Sequence, residues 1–383
     1  MVKSECPEKL KLNLEIYYRS SIMPFDASIP VVDMLDYSNP EKHDSFIQSF
    51  SKALQTVGFV AVVNSNVSPQ ILDRAYAAAR EFYAKDTAFK MRAHAPELNG
   101  QRGYVPSEQA QGSAKKDHKE FYHLSRDYPA EILAEYGYPA NIWPDDGEFK
   151  NSMLALVAEI DKYSTVVEAA IAECIGKAPD FFSDMTNQGG YVMRSIYYPA
   201  NPPPDTVWAA QHTDIDLFTI LPRATEKGLQ VQDDGGKWLD VIVPDGAIII
   251  NAGDMLRNIT NGFFKSAVHR VISMGKEERY SVVAFLHPRP HDRLDPLPEF
   301  VAKDGVRKYA NVTARELLFE RLIELGLHSP WLLKTFAESG AIERLKEVNR
   351  VSPRVLQTLR EAGFLNDEQA AAPASPKRLT NRM

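Results

Sequence analysis

The spacing of apolar residues changes twice along the chain. Between Pro40 and Val57, Phe46, Phe50, Ala53, Leu54 and Val57 recur at helical intervals, and Gly58 supplies a stop. Ile71, Ala75, Ala78 and Phe82 repeat the pattern from about Pro69 to Tyr83. A longer stripe, from Met153 through Ile160 and Val167 to Ile171, predicts one long buried or half-buried helix between Asp146 and Cys174, stopped by Gly176 and Pro179. From Tyr191 to Leu286 the texture becomes short β-branched and aromatic runs broken by Pro, Gly and Asn or Asp. Those runs are Tyr191 to Tyr198, Leu217 to Leu221, Leu229 to Gln232, Ala247 to Asn251, Ser266 to Met274 and Tyr280 to Leu286, a spacing that predicts an antiparallel sandwich or barrel. Ile29 to Asp33 and Phe59 to Val63 read as strands ahead of it. Gly100 to Ser113 reads as an exposed loop or irregular hairpin, and helical spacing returns over Thr313 to Leu325 and Ser329 to Leu359.

This pattern divides the chain into a leader (1–27), an N-terminal region (28–140), a long scaffold helix (141–187), a β-rich core (188–291), C-terminal helices (292–365) and a tail (366–383) expected to be disordered. The fold class is therefore a mostly β core with flanking helices. At 44% apolar and 25% charged over 383 residues, the chain can bury a large core. A net charge of −7 without a long basic block gives little reason to expect nucleic acid or anionic membrane as a partner. Cys6 and Cys174 are the only cysteines and read as free thiols in a reducing compartment. With no signal-like or membrane-spanning apolar run, the expectation is a cytoplasmic protein, a monomer by default, acting on a small molecule.

Candidate chemistry gathers around Gln211-His212-Thr213-Asp214. On an extended strand, residues two apart share a face, so His212 and Asp214 can reach one ion, and His269 in the β-rich run Ser266 to Ile272 can come from a neighbouring strand. Two imidazoles and a carboxylate leave open positions on an octahedral ion and suit Fe(II), although Mn, Co and Ni also fit. A His-x-acid triplet is weak alone. His118-Lys119-Glu120 is a second one, with His123 nearby; if helical, its side chains diverge and form surface ion pairs. Arg279 and Ser281, also two apart, offer a guanidinium and a hydroxyl that can hold a carboxylate.

Taken together in this order, these residues resemble the isopenicillin N synthase-like branch of the 2-oxoglutarate/Fe(II) dioxygenases. The resemblance is carried by Ile29-Pro30-Val31-Val32-Asp33, Val57-Gly58-Phe59, Arg80 to Tyr83, Gly103-Tyr104, Tyr197-Tyr198-Pro199, His212-Thr213-Asp214, Gly228 to Val231, Asn251 to Asp254, Thr260-Asn261-Gly262, Lys265-Ser266, His269-Arg270-Val271 and Arg279-Tyr280-Ser281. It implies a double-stranded β-helix, or jelly roll, with helices packed outside. It implies that His212, Asp214 and His269 hold iron, and that Arg279, Ser281 and Tyr198 bind the distal carboxylate of 2-oxoglutarate. O2 is the other cosubstrate, with ascorbate as a reductant, and a substrate C–H bond is oxidised with release of succinate and CO2.

The resemblance also admits a 2-oxoglutarate-independent Fe(II) oxidase that turns the Arg-x-Ser pair toward its own substrate, and a non-catalytic sensing module. Ile196 departs from the Asn that many relatives carry two residues before the tyrosine. Asp216 is expected to meet solvent, an arginine or a cationic substrate group. Substrate contacts are expected from Arg102, Tyr104 and Phe285, with His287 and Arg289 as further candidates; Arg102 hints at an acidic group on the substrate. Hydroxylation, desaturation, ring closure and ethylene formation stay open.

Overall fold

The computed structural model describes residues 28–107, 117–203, 207–273 and 277–369; the expected leader, most of the expected tail and Met274 lie outside them. Twelve strands are described: β1 Val31–Asp33, β2 Phe59–Val63, β3 Gly103–Val105, β4 Glu120–Leu124, β5 Tyr191–Tyr198, β6 Ala209–His212, β7 Phe218–Ala224, β8 Leu229–Gln232, β9 Trp238–Asp240, β10 Ile248–Ala252, β11 His269–Val271 and β12 Arg279–Leu286. Eight form one sheet in the order β1-β2-β10-β7-β12-β5-β4-β3, and four form a second in the order β6-β11-β8-β9. Except for the parallel pair β1 and β2, neighbouring strands run antiparallel.

The period of two along the strands sorts the larger sheet into two faces. On β12, Tyr280, Val282, Ala284 and Leu286 enter the helix-side core, while Arg279, Ser281, Val283 and Phe285 line a cavity. On β5, Tyr191 and Met193 face the helices, whereas Arg194, Ile196 and Tyr198 face the cavity. The smaller sheet covers that second face, and Val231 with Phe59 and Ile249, and Val271 with Ile196 and Tyr198, form two apolar clusters between the sheets. The arrangement is the double-stranded β-helix with helical flanks.

The helices stiffen the outer face. α1 (His43–Thr56), α2 (Pro69–Tyr83) and α3 (Gly147–Cys174) pack over it. Asp146 caps α3 by accepting from Phe149 N at 3.1 Å. A stripe from Phe149 through Met153, Leu156 and Ile160 to Val167 is then fully buried, each large side chain contributing roughly 1.5–3 kcal/mol.

Two expectations are sharpened. Of the exposed loop or irregular hairpin expected over Gly100 to Ser113, Gly103 to Val105 takes the paired form, a buried edge strand antiparallel to β4, and residues 108–113 lie outside the described residues. The helical periodicity expected from Ser329 to Leu359 is distributed over three helices, Pro330–Glu338, Ala341–Glu347 and Pro353–Glu361. Gly340 and Asn349 take left-handed backbone conformations between them, and Pro353 starts the last.

Candidate metal and carboxylate site

His212 ends β6 and pairs directly with His269, the first residue of β11. Antiparallel pairing therefore sets two imidazoles side by side, with ring centroids 4.3 Å apart. Asp214 lies beyond the strand end rather than on it as expected, and its backbone carbonyl accepts from Asp254 N at 2.8 Å. That bond turns the carboxylate back toward both rings: Asp214 Oδ1 is 3.6 Å from Nε2 of His212 and 3.6 Å from Nε2 of His269. One ligand atom from each of the three residues lies within 4.8 Å of the others, and this is the one such cluster among the described residues.

The surroundings orient each group. His212 Nδ1 faces the Ala210 carbonyl at 2.8 Å and His269 Nδ1 faces that of Ala267 at 3.2 Å. A proton on each Nδ1 satisfies those carbonyls and leaves both Nε2 lone pairs pointing into the cavity. Burial and the neighbouring His269 push the His212 pKa down to about 4, so its ring is neutral near pH 7. Burial alone would raise the Asp214 carboxyl, but the two adjacent rings and hydrogen bonds from Thr219 and Asn251 hold it below the usual range. Thr219 Oγ1 is 2.6 Å and Asn251 Nδ2 2.9 Å from Asp214 Oδ2, so Oδ1 is the oxygen left for an ion.

Asp216 meets neither solvent nor a cation. It is fully buried, and burial with the nearby Asp214 holds its carboxyl well above the usual range. Thr219 Oγ1 lies 2.8 Å from Asp216 Oδ2 as well, yet has one proton to give. A neutral Asp216 can donate to that hydroxyl, which then donates to Asp214. Gly253 makes the room: a Cβ there would sit 2.0 Å from Asp216 Oδ1 and 2.2 Å from its carbonyl oxygen.

Along the same cavity, Arg279 is 2% exposed. Its Nε donates to the Glu226 carbonyl at 3.0 Å, NH1 donates to Ser281 Oγ at 3.1 Å, and the guanidinium lies 4.9 Å from the Tyr198 ring centroid. Tyr198 in turn packs on the buried Trp208. Among the described residues Arg279 has no carboxylate partner, so a buried cation faces a cavity that also holds the His-Asp-His cluster. A two-imidazole, one-carboxylate donor set fits Fe(II), and the guanidinium with its hydroxyl fits a carboxylate.

Of the expected substrate contacts, Phe285 lines this cavity and Arg102 and Tyr104 do not. The Tyr104 hydroxyl donates to Glu120 Oε2 at 2.6 Å, and its ring packs edge-on to Phe82 on the helix side. Arg102 is buried elsewhere, its pKa lowered to about 10 by desolvation. The His118 region is not helical: Glu120 opens β4 and pairs with Lys90 at 2.6 Å, while His123 bonds to Arg194. Sequence reasoning passed over Thr219, Asn251, Lys119 and Arg194. Asn251 had a signal, being an amide that ends the apolar run Ile248 to Ile250.

Two family descriptions match the chain: "non-haem dioxygenase in morphine synthesis N-terminal" over residues 29–146, and "2OG-Fe(II) oxygenase superfamily" over residues 189–288. Oxoglutarate-dependent flavonoid 7-O-demethylase 1 of Ocimum basilicum is 29% identical over 303 residues, 78% of each chain. A 2OG-Fe(II) oxygenase family protein of Caulobacter crescentus is 32% identical with a TM-score of 0.71, covering 78% of this chain and 99% of that one. JOX2, solved in complex with 2OG, Fe and JA, is 25% identical with a TM-score of 0.66, covering 84% of this chain and 91% of that one.

Proposed function

Because this chain belongs to the 2-oxoglutarate/Fe(II)-dependent oxygenase family, and is thus an oxidoreductase using Fe(II), 2-oxoglutarate and O2, we propose that His212, Asp214 and His269 hold the iron and that Arg279, Ser281 and Tyr198 bind the distal carboxylate of 2-oxoglutarate. The observation that carries this is the approach of two Nε2 atoms and one carboxylate oxygen to within 4.8 Å, in one cavity with a buried arginine. Bound there, the metal and cosubstrate supply the activation of O2 that oxidises a substrate C–H bond with release of succinate and CO2.

The protein's own part is geometric and electrostatic. Carbonyls at Ala210 and Ala267 fix both imidazole tautomers, and Thr219 and Asn251 hold one carboxylate oxygen so that the other can bind. Arg279 neutralises the far end of the cosubstrate, and Leu221, Leu229, Val271 and Ile249 keep the intervening space apolar. No side chain is needed as a general base.

A 2-oxoglutarate-independent oxidase is not favoured, since the curated relatives are named as oxoglutarate-dependent enzymes. A small-molecule substrate follows from the family. The finer reading of a cytoplasmic protein without nucleic-acid or membrane partners rests on the net charge of −7 and the scarcity of cysteine, and monomer is the default. Among the described residues no helix is long and apolar enough to cross a membrane. The test is anaerobic titration of the Fe(II) protein with 2-oxoglutarate, with a weak visible charge-transfer band expected. Absence of that band, or of 2-oxoglutarate-dependent succinate in air, would overturn the assignment.

A further inference from the structure

A second cavity, of about 190 Å³, lies between the helices Asp254–Ile259 and Ala314–Leu325, and among the described residues it shares no lining side chain with the metal cavity. It stands against the back of the metal end, because the backbone N–H of Asp254 donates to the Asp214 carbonyl at 2.8 Å. Arg257, Arg321 and Arg350 line it. Arg257 NH2 lies 2.9 Å from Asp254 Oδ1; Arg321 NH2 lies 2.6 Å from Asp254 Oδ2, and its Nε lies 3.5 Å from Glu324 Oε2. Arg350 meets no carboxylate among the described residues, and its Nε donates to the Lys308 carbonyl at 3.3 Å. Tyr309 carries two of the guanidiniums, with Arg350 4.3 Å and Arg257 5.6 Å from its ring centroid. Arg257 Nε is buried and has no hydrogen-bond partner. Glu320, the remaining carboxyl of the lining, has its pKa pushed up to about 8 by burial and is mostly neutral near pH 7. Two paired carboxylates therefore face three guanidiniums among the described residues, and one positive charge is left over.

We propose that this cavity binds a small dianion, the chemistry shared by dicarboxylates and phosphate, whose oxygens bridge Arg257 and Arg350 alongside Tyr309. The site is separate from the 2-oxoglutarate position, and nothing in it depends on the iron reading. A guanidinium resting on an aromatic ring keeps its plane, and a planar fork matches two oxygens of a carboxylate or a phosphate. Arg350 spends one of its five N–H groups on the Lys308 carbonyl, and the other four stand at the exposed mouth of the cavity. Arg257 adds the buried Nε, which a ligand oxygen inside the cavity satisfies. The leftover positive charge selects an anion over a neutral or cationic guest. The volume is well below the roughly 300–1,000 Å³ of pockets that take drug-sized ligands, so the guest is an ion of few heavy atoms.

The experiment titrates glutarate and inorganic phosphate into the full chain by calorimetry, anaerobically, with Fe(II) and saturating 2-oxoglutarate so that the Arg279 position is filled. Glutaramide is the neutral control. At least one anion is expected to bind at one site per chain, roughly 10-fold or more tighter than glutaramide, the value of one charge-assisted pair. The preference between the two anions tells a dicarboxylate site from a phosphate site. Arg350→Gln, at an exposed position whose loss does not threaten the fold, should weaken the anion by roughly 10-fold, and Arg257→Lys, which keeps a charge for Asp254 but loses the Nε donor, by a similar factor. Arg279→Ala should leave the anion affinity unchanged, and so should Lys334→Gln, which removes an exposed charge elsewhere on the surface. The proposal falls if neither anion binds, if glutaramide binds as tightly, or if either Arg350→Gln or Arg257→Lys binds like the parent. It falls equally if Arg279→Ala removes binding, which would place the anion at the cosubstrate position, or if Lys334→Gln weakens it as much as Arg350→Gln, which would make the attraction one of diffuse charge. The metal-free Arg279→Ala chain should give the same anion affinity, so failure of the iron reading leaves this test standing.

Discussion

The two ends of the cavity are built by different means. At the metal end, two residues two positions apart and one strand partner converge, and each polar atom that does not face the centre is tied to a neighbour: Nδ1 of both rings to carbonyls, Asp214 Oδ2 to Thr219 and Asn251. At the Arg194 end, the groups come from β4, β5 and β12, over 160 residues of sequence, and ring stacking and an imidazole contact are among the interactions that hold them. The first end is short-range and tied at every outward-facing polar atom, as the proposed iron site requires. The second is a surface assembled by topology, which can change without disturbing the first.

Removing His269 should separate the ends most sharply. His269→Ala deletes a proposed ligand that no neighbour can replace, and iron affinity should drop beyond the roughly 100-fold that loss of a supporting hydrogen bond costs. Metal content after anaerobic reconstitution measures it. Retention of one iron per chain would break the proposed ligand set.

Arg279→Ala should act next, and on a different equilibrium. Removing a buried guanidinium that the proposal pairs with the cosubstrate carboxylate should weaken 2-oxoglutarate by about 10- to 100-fold, the value of one or two charge-assisted bonds. Iron content should hold. Unchanged 2-oxoglutarate affinity would move the cosubstrate elsewhere in the cavity.

This division also explains what the sequence made legible. Long helices were readable because a one-sided apolar stripe is local: the Met153 to Ile171 stripe marks α3 without reference to the rest of the fold. β5 was readable from its run of aromatic and β-branched residues. The His212 to Asp214 spacing and the β character around His269 were visible for the same reason. β3 and β4 were not, because Gly103 to Val105 and Glu120 to Leu124 are short and are strands only through pairing with each other and with β5. Arg194, inside a strand recognised as such, gave no sign that its even-numbered face would look onto the metal cluster. Arg102 and Tyr104 were drawn toward the substrate by charge and sequence position alone, and the edge strand turns them into other surroundings.

A smaller effect is expected from Asn251→Ala. It removes one of two donors to Asp214 Oδ2 but leaves Thr219, so iron affinity should fall about 10-fold, at the low end for a supporting partner. Unchanged iron affinity would show that Asn251 does not support the carboxylate.

The smallest expected effect at the cavity comes from Glu320, which lies behind the metal end on the helix Ala314–Leu325. Its neighbour Arg321 donates to Asp254 Oδ2 at 2.6 Å, and the backbone N–H of Asp254 donates to the Asp214 carbonyl. Burial, helped by Glu324, pushes the Glu320 pKa up to about 8 from an ordinary 4.5. Between those values the folded chain keeps a proton that the unfolded chain has released. Stability is therefore lost progressively as pH rises from about 4.5 through about 8, and is unaffected by this group below that window. Glu320→Gln cannot ionise and can still accept the 3.4 Å contact from Ser352 N. The variant should unfold at a higher temperature than the parent near pH 8.5, by an amount on the order of 1 kcal/mol or more, and near the same temperature at about pH 4.5. Iron and 2-oxoglutarate affinities should not change, because the hydrogen bonds that orient Asp214 come from Thr219, Asn251 and a backbone amide rather than from Glu320. An equal shift in unfolding temperature at both pH values would remove the buried, neutral carboxyl; a loss of iron affinity would mean that the metal end extends through Arg321 and Asp254 into the C-terminal helices.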